Sequence, residues 1–221
     1  MRGIAGCLLG GLVGMALLGS AQAQTLATAQ GHEPAWSAQF GDKRFDFQAA
    51  DGTRFALDVE ARPGGSPLQV GLQVRGEPLL LQTERRLCHD LKSGQPFPWQ
   101  VSVTMSGRVY HGCGGDPALL LQGRSWSGDG LRSLQFEAGG RYSAQLACNR
   151  LQGSYRADVN GLSLGQGPMT RRACADEAGN AAEDRTLAQL ARVWAFDLDA
   201  QGRLRLRLTD GAALVLEATP R

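Results

Sequence analysis

The chain has 221 residues, with 23 Lys and Arg against 21 Asp and Glu for a formal charge of +2, and it contains no block of like charge. Tight nucleic-acid binding draws on clustered Lys and Arg, so this balance gives no electrostatic ground for nucleic acid as a partner. About 200 residues remain once an N-terminal leader is set aside, enough for one large or two small domains that each bury a core.

The leader comes first. Arg2 gives a positive start, an apolar run follows from Ile4 to Leu18, and Ala21-Gln22-Ala23 offers small residues for cleavage, which predicts a signal peptide over residues 1–23 and a mature start at Gln24. The apolar run is broken by Gly10, Gly11 and Gly14 and is shorter than the roughly 20 residues a spanning helix needs, so a permanent anchor is disfavoured. Ile4-Ala5-Gly6-Cys7 has the residue types of a lipoprotein cleavage box. Such a box follows the apolar region, whereas here the apolar region follows Cys7, so lipidation is disfavoured too. The expected destination is the periplasm.

Residues 24–122 are expected to form an N-terminal β domain. Phe45 and Phe47, then Phe55, Leu57 and Val59, alternate on one face of two strands joined at Asp51-Gly52. Pro63 to Pro67 reads as a loop, followed by strands at Leu68–Val74 and Leu79–Gln82. Trp99, Val101, Val103 and Met105 alternate along a further strand that turns at Ser106-Gly107 and returns through Val109 and Tyr110 to Cys113. Gly114-Gly115-Asp116-Pro117 and the Gly- and Ser-rich stretch from Gly123 to Gly130 place the domain boundary near Gly123.

Residues 123–221 form the second predicted domain. Asn180 is read as a helix cap with Glu183 three residues later, and Leu187, Leu190, Ala191 and Trp194 recur at helical spacing, with the helix ending by about Val193. A meander follows: Trp194–Leu198, a turn at Ala200-Gln201-Gly202, Leu204, Leu206 and Leu208 alternating with Arg203, Arg205 and Arg207, then Asp210-Gly211 and Ala213–Glu217. The fold expected is mainly β, in the α+β sense: two small antiparallel β domains, the second with one packed helix.

Cleavage would remove Cys7 and leave Cys88, Cys113, Cys148 and Cys174, an even set that should be disulfide-bonded in an exported chain. Three pairings are possible. Cys88 with Cys113 and Cys148 with Cys174 keeps each bridge inside one predicted domain and closes loops of about 25 residues, each contributing roughly 3 kcal/mol. The absence of any Cys-x-x-Cys spacing argues against zinc.

Ala147-Cys148-Asn149-Arg150, Gly153-Ser154-Tyr155, Met169-Thr170-Arg171-Arg172-Ala173-Cys174 and the helix-plus-hairpin ending occur in that order, and together they resemble the META domain of HslJ-like heat-shock proteins from about Gly123 to Arg221. Ala147 stands where that family usually has Gly, and its opening strand is weak around Trp126. The N-terminal half is similar to an uncharacterised envelope family through Gly31, Glu33, Pro34 and Trp36, then Cys88, Asp90, Ser93, Gly94 and Pro98, then Gly112, Cys113, Gly114 and Gly115. Ala35, Lys92 and Phe97 depart from its pattern. The META resemblance implies a non-enzymatic envelope protein associated with stress responses and tolerance of some antibiotics.

Several groups bear on chemistry. A bridge from Cys88 to Cys113 would bring His89, Asp90 and His111 together, a set suited to zinc or copper, though two polar edge residues beside a disulfide are the favoured reading. His32-Glu33 could join only if the chain folds back there. Ser93, Ser106 and the three histidines sit in no nucleophile elbow or triad motif, so no catalytic residue is assigned. Asp197 and Asp199 share a strand face and read as solvated carboxylates. Arg203, Arg205 and Arg207, with Arg192 nearby, make a positive stripe that could meet an anion, with a solvated strand face the favoured account. Asn149 is expected to bond a turn. Ser106-Gly107-Arg108-Val109-Tyr110 loosely resembles the inhibitory loop of periplasmic lysozyme inhibitors, which makes hydrolase inhibition the alternative function. No cofactor and no metal are expected. The expected partner is an envelope protein or a small ligand.

Overall fold

The computed structural model describes residues 26–59, 66–128 and 130–219, so the leader with Cys7 and most of the Pro63–Pro67 loop lie outside the described residues. The first half contains β1 (Thr28–His32), β2 (Ala35–Phe40), β3 (Arg44–Ala49), β4 (Arg54–Asp58), β5 (Leu68–Val74), β6 (Glu77–Glu84), the two-residue strands β7 (Cys88–His89) and β8 (Pro96–Phe97), β9 (Trp99–Met105) and β10 (Arg108–Gly114). A short helix α1 (Ala118–Leu121) leads into β11 (Ser125–Gly128), β12 (Leu131–Glu137), β13 (Arg141–Gln145), β14 (Arg150–Asp158) and β15 (Gly161–Met169). Then come α2 (Glu177–Leu190), β16 (Val193–Leu198), β17 (Leu204–Leu208) and β18 (Ala213–Thr219).

The strands form two antiparallel eight-stranded sheets, ordered β4-β3-β2-β1-β10-β9-β6-β5 and β15-β14-β13-β12-β11-β18-β17-β16, with β7 paired to β8 apart from them. Both are meanders curled until the first strand pairs with the last, β1 with β10 and β11 with β18. Each is thus nearly closed, which leaves little unpaired edge. The seam falls between β4 and β5 in the first sheet and between β15 and β16 in the second. The chain of the second sheet spends its seam crossing on α2.

Alternation fills each interior. Trp36, Phe40, Phe45, Phe47, Phe55, Trp99 and Tyr110 pack in the first core, where Phe47 stacks on Phe55 with ring centroids 4.9 Å apart. Trp126, Phe136, Tyr142, Phe196, Leu204, Leu206 and Leu208 pack in the second. Ala118 and Leu121 of α1 also belong to this second core, and the Trp126 indole donates to the Leu121 carbonyl at 3.0 Å.

The mainly β fold is as the sequence pattern predicts, but several elements differ. β1 and β2 precede the first predicted strand: β1 buries only the small Ala29 and Gly31, whereas β2 buries the alternating Trp36, Ala38 and Phe40. The helix starts at Glu177, not at Asn180: Asp176 is the cap and accepts from the Gly179 N–H at 2.7 Å. The Asn180 side chain instead accepts from the Cys174 N–H at 3.1 Å. The helix also stops short of the predicted Val193. It ends at Leu190, buries Glu183, Thr186 and Leu190, and leaves Trp194 on β16. Among the described residues no helix is long and apolar enough to cross a membrane.

Candidate functional site

The structure bonds Cys88 to Cys113, with Cα atoms 5.5 Å apart, and Cys148 to Cys174, with Cα atoms 5.4 Å apart. Beside each bridge sits one buried carboxylate that gathers backbone N–H groups, Asp90 in the first half and Glu183 in the second.

Asp90 follows β7 and organises the turn to β8. Its Oδ1 accepts from the Ser93 N–H and hydroxyl, both at 2.8 Å, and from the Lys92 N–H at 3.1 Å. Its Oδ2 meets His32 Nε2 at 2.7 Å and accepts from the Gln30 amide at 3.0 Å. Burial pushes this carboxyl up, yet the Ser93, His32 and Gln30 bonds outweigh it and hold the carboxyl down to about 2.

His89, Asp90 and His111 do not form a group of ligand atoms within 4.8 Å of one another. His89, the last residue of β7, pairs its Nε2 with Asp197 Oδ1 of the other half at 2.7 Å and not with Asp90. His111 is exposed on β10. The chain does fold back at His32, which becomes the partner of Asp90 in place of His89. These residues line a cleft of about 190 Å³ with the exposed Leu91 among them. Among the described residues the one group of three potential metal ligands within 4.8 Å of one another is Cys148, Cys174 and Glu183, whose sulfurs are bonded to each other.

The glycines of the first half's pattern have a steric role. Trp36 donates its indole N–H to the His111 carbonyl at 2.9 Å and so lies across β1 and β10. A Cβ on Gly31 would overlap that carbonyl and the indole, and one on Gly112 would overlap the Gln30 carbonyl.

Glu183 reaches from α2 to the turn that begins at Cys148. Its Oε2 accepts from the Cys148 and Asn149 N–H groups, both at 2.9 Å, and its Oε1 accepts from the Asn149 amide at 2.5 Å. Asn149 in turn accepts from the Thr170 hydroxyl at 2.9 Å and the Arg172 N–H at 2.7 Å, and donates to the Arg172 carbonyl at 2.9 Å. Burial raises the Glu183 carboxyl, but the three donors from Asn149 and Cys148 overcome it and leave it below its usual range. Tyr155 accepts from Gln122 at 2.8 Å and donates to the Glu137 carbonyl at 3.0 Å. The Cys-Asn, Gly-x-Tyr and Thr-Arg-x-x-Cys residues therefore pin helix, sheet and bridge together.

The remaining candidates are engaged locally. Arg203 pairs with Asp199 at 2.7 Å and Arg207 with Asp197 at 3.3 Å, so the positive stripe is largely neutralised by the two aspartates. Arg192 pairs with Asp210. Arg108 of the proposed inhibitory loop pairs with Asp51, and the buried Tyr110 donates to the same carboxylate at 2.8 Å, so neither side chain projects freely toward a partner.

Sequence reasoning missed two features. The reach of Glu183 to Cys148 spans 35 residues and leaves no local signal. The strand beginning at Trp194 is as the sequence predicts, but the bulge that leaves Trp194 46 % exposed on β16 has no sequence signal.

Comparison with known proteins bears on the second half. No curated protein matches the chain. A solved structure entitled "NMR structure of the protein from Burkholderia xenovorans" is similar at 24% identity over 47% of this chain and 87% of that one, with a TM-score of 0.37. Residues 120–220, in the C-terminal half of this chain, match the family model of the META domain.

Proposed function

We propose that the protein acts in the bacterial periplasm as a non-catalytic binding protein that supports envelope integrity or tolerance of stress and antibiotics. The observation that carries this reading is the META domain at residues 120–220, whose family resemblance implies an HslJ-like envelope protein. The Arg2-to-Ala23 leader and the two bridges suit export to an oxidising compartment. The side chains with catalytic potential are committed to architecture: Asp90 holds a turn, Glu183 a helix, and His89 the contact between halves. Such rigid, cross-bonded sheets lose little order when a ligand or partner binds.

The test is a deletion strain. It should become more sensitive to envelope stress and hydrophobic antibiotics, and the full chain should restore tolerance while a chain lacking residues 1–23 should not. Unchanged sensitivity across several such stresses would overturn the stress role, and rescue by the leaderless chain would overturn the location.

A further inference from the structure

We infer that the seam of the META domain holds a saccharide-binding site built around Trp194. Of the four tryptophans, Trp36, Trp99 and Trp126 are at most 4 % exposed, whereas Trp194 is 46 % exposed. A lone exposed aromatic is ordinary on a protein surface. Here three further observations bear on it.

The first is its setting. Val193 pairs with Leu208 but Ala195 pairs with Arg207, so β16 bulges at Trp194 and turns that side chain outward. Bulges at sheet edges commonly re-aim one side chain next to a functional surface. The second is that the indole is fixed, because its N–H donates to the Leu208 carbonyl at 3.2 Å and so settles the plane of the ring. The third is the seam itself. Gly161 has φ of +130° and lies so close that a Cβ there would overlap the Trp194 carbonyl, which brings the β14–β15 turn against the tryptophan.

That approach creates a cleft of about 380 Å³ between Trp194 and the polar residues Arg156, Asp158, Asn160 and Ser163. Asp158 accepts from Arg156 at 2.6 Å and from the Asn160 N–H at 2.7 Å. The two charges cancel, so the wall offers no net attraction for a strongly anionic or cationic ligand. What it offers is a flat apolar ring beside planar carboxylate, guanidinium and amide groups. A pyranose has matching chemistry, with a face of C–H groups to lie on the indole and a rim of hydroxyls that both donate and accept. The ligand class is therefore a neutral saccharide, and neutral sugar units occur both in N-acetylated wall glycans and in other polysaccharides.

This inference rests on the binding reading above and names its ligand class, yet it is read on purified protein and stands apart from any deletion phenotype. The experiment titrates full-length mature protein with a soluble β-1,4-linked N-acetylglucosamine trimer and, separately, a β-1,4-linked glucose trimer. Trp194 is the one exposed tryptophan, so its emission should shift to the blue and resist acrylamide quenching as sugar saturates. Trp194→Ala should weaken binding about tenfold or more, Trp194→Phe by less, and Asn160→Ala by about threefold. Response to the first sugar alone supports an N-acetylated source, and response to both supports a general saccharide site. No response to either sugar would overturn the proposal. So would an Ala variant that binds as well as the wild type, or protection of Trp194 by a protein fraction but by no sugar.

Discussion

The two halves use one plan with different wiring. Each is an eight-stranded antiparallel meander whose first strand pairs with its last, and each places a disulfide next to a buried carboxylate that collects backbone donors. In the first half the carboxylate divides its oxygens: Asp90 Oδ1 binds residues two and three positions ahead, while Oδ2 meets Gln30 and His32 of β1. In the second it is remote: Glu183 comes from a helix that crosses the seam and binds a turn 35 and 34 residues earlier. Asp90 thus spends one oxygen on the shape of a turn and one on a contact with β1, whereas both oxygens of Glu183 serve the docking of a helix onto a turn. The second half should therefore depend on its carboxylate more heavily than the first.

The largest effect should come from a change that blocks the common plan. Gly112→Ala puts a Cβ into the Gln30 carbonyl where β1 meets β10, and it should cost more than about 4 kcal/mol or abolish folding, read by urea unfolding. Glu183→Gln should come next. It keeps the shape but removes the charge and turns one of the two accepting oxygens into a donor facing the Cys148 and Asn149 donors, for a loss of roughly 2–4 kcal/mol in the same assay.

Asp90→Asn should cost about 2 kcal/mol at neutral pH, less than Glu183→Gln if docking outweighs turn formation. Because the folded value of about 2 lies below the ordinary 3.8, the contribution of Asp90 is complete above the ordinary value and is lost as pH falls through the folded one. Wild-type stability should therefore fall across that window, and the Asn variant should lack this component. Equal losses for the two variants would break the comparison. The smallest effect should come from His89→Ala, since the pair with Asp197 is partly exposed and worth roughly 0.2–1 kcal/mol, visible as a small coupling in a double-mutant cycle with Asp197→Ala.

These contrasts also explain what could be read in advance. Strands with large residues on their inner face, such as Trp99–Met105 and Leu204–Leu208, were legible because period-two alternation was intact. β14 and β15 were not, since Gly153, Gly165 and Gly167 interrupt any apolar pattern where neighbouring side chains and backbone need the room. The Asp90 turn is visible as a motif, but the histidine that meets its carboxylate is His32, 58 residues away, and not the adjacent His89. The helix cap was misplaced for a related reason. Asn180 and Glu183 have the spacing of a cap pair, yet both side chains serve the Cys148–Cys174 region instead.

The account rests on a division of labour: the residues that carry the family resemblance hold the fold, and the seam at Trp194 is left to hold a ligand. The most direct test measures stability and saccharide affinity together in Glu183→Gln and Trp194→Ala. The account predicts that Glu183→Gln loses stability but its folded fraction binds sugar as the wild type does, while Trp194→Ala loses less stability than Glu183→Gln but about tenfold in affinity. A Glu183→Gln protein of unchanged stability that fails to bind sugar would contradict it.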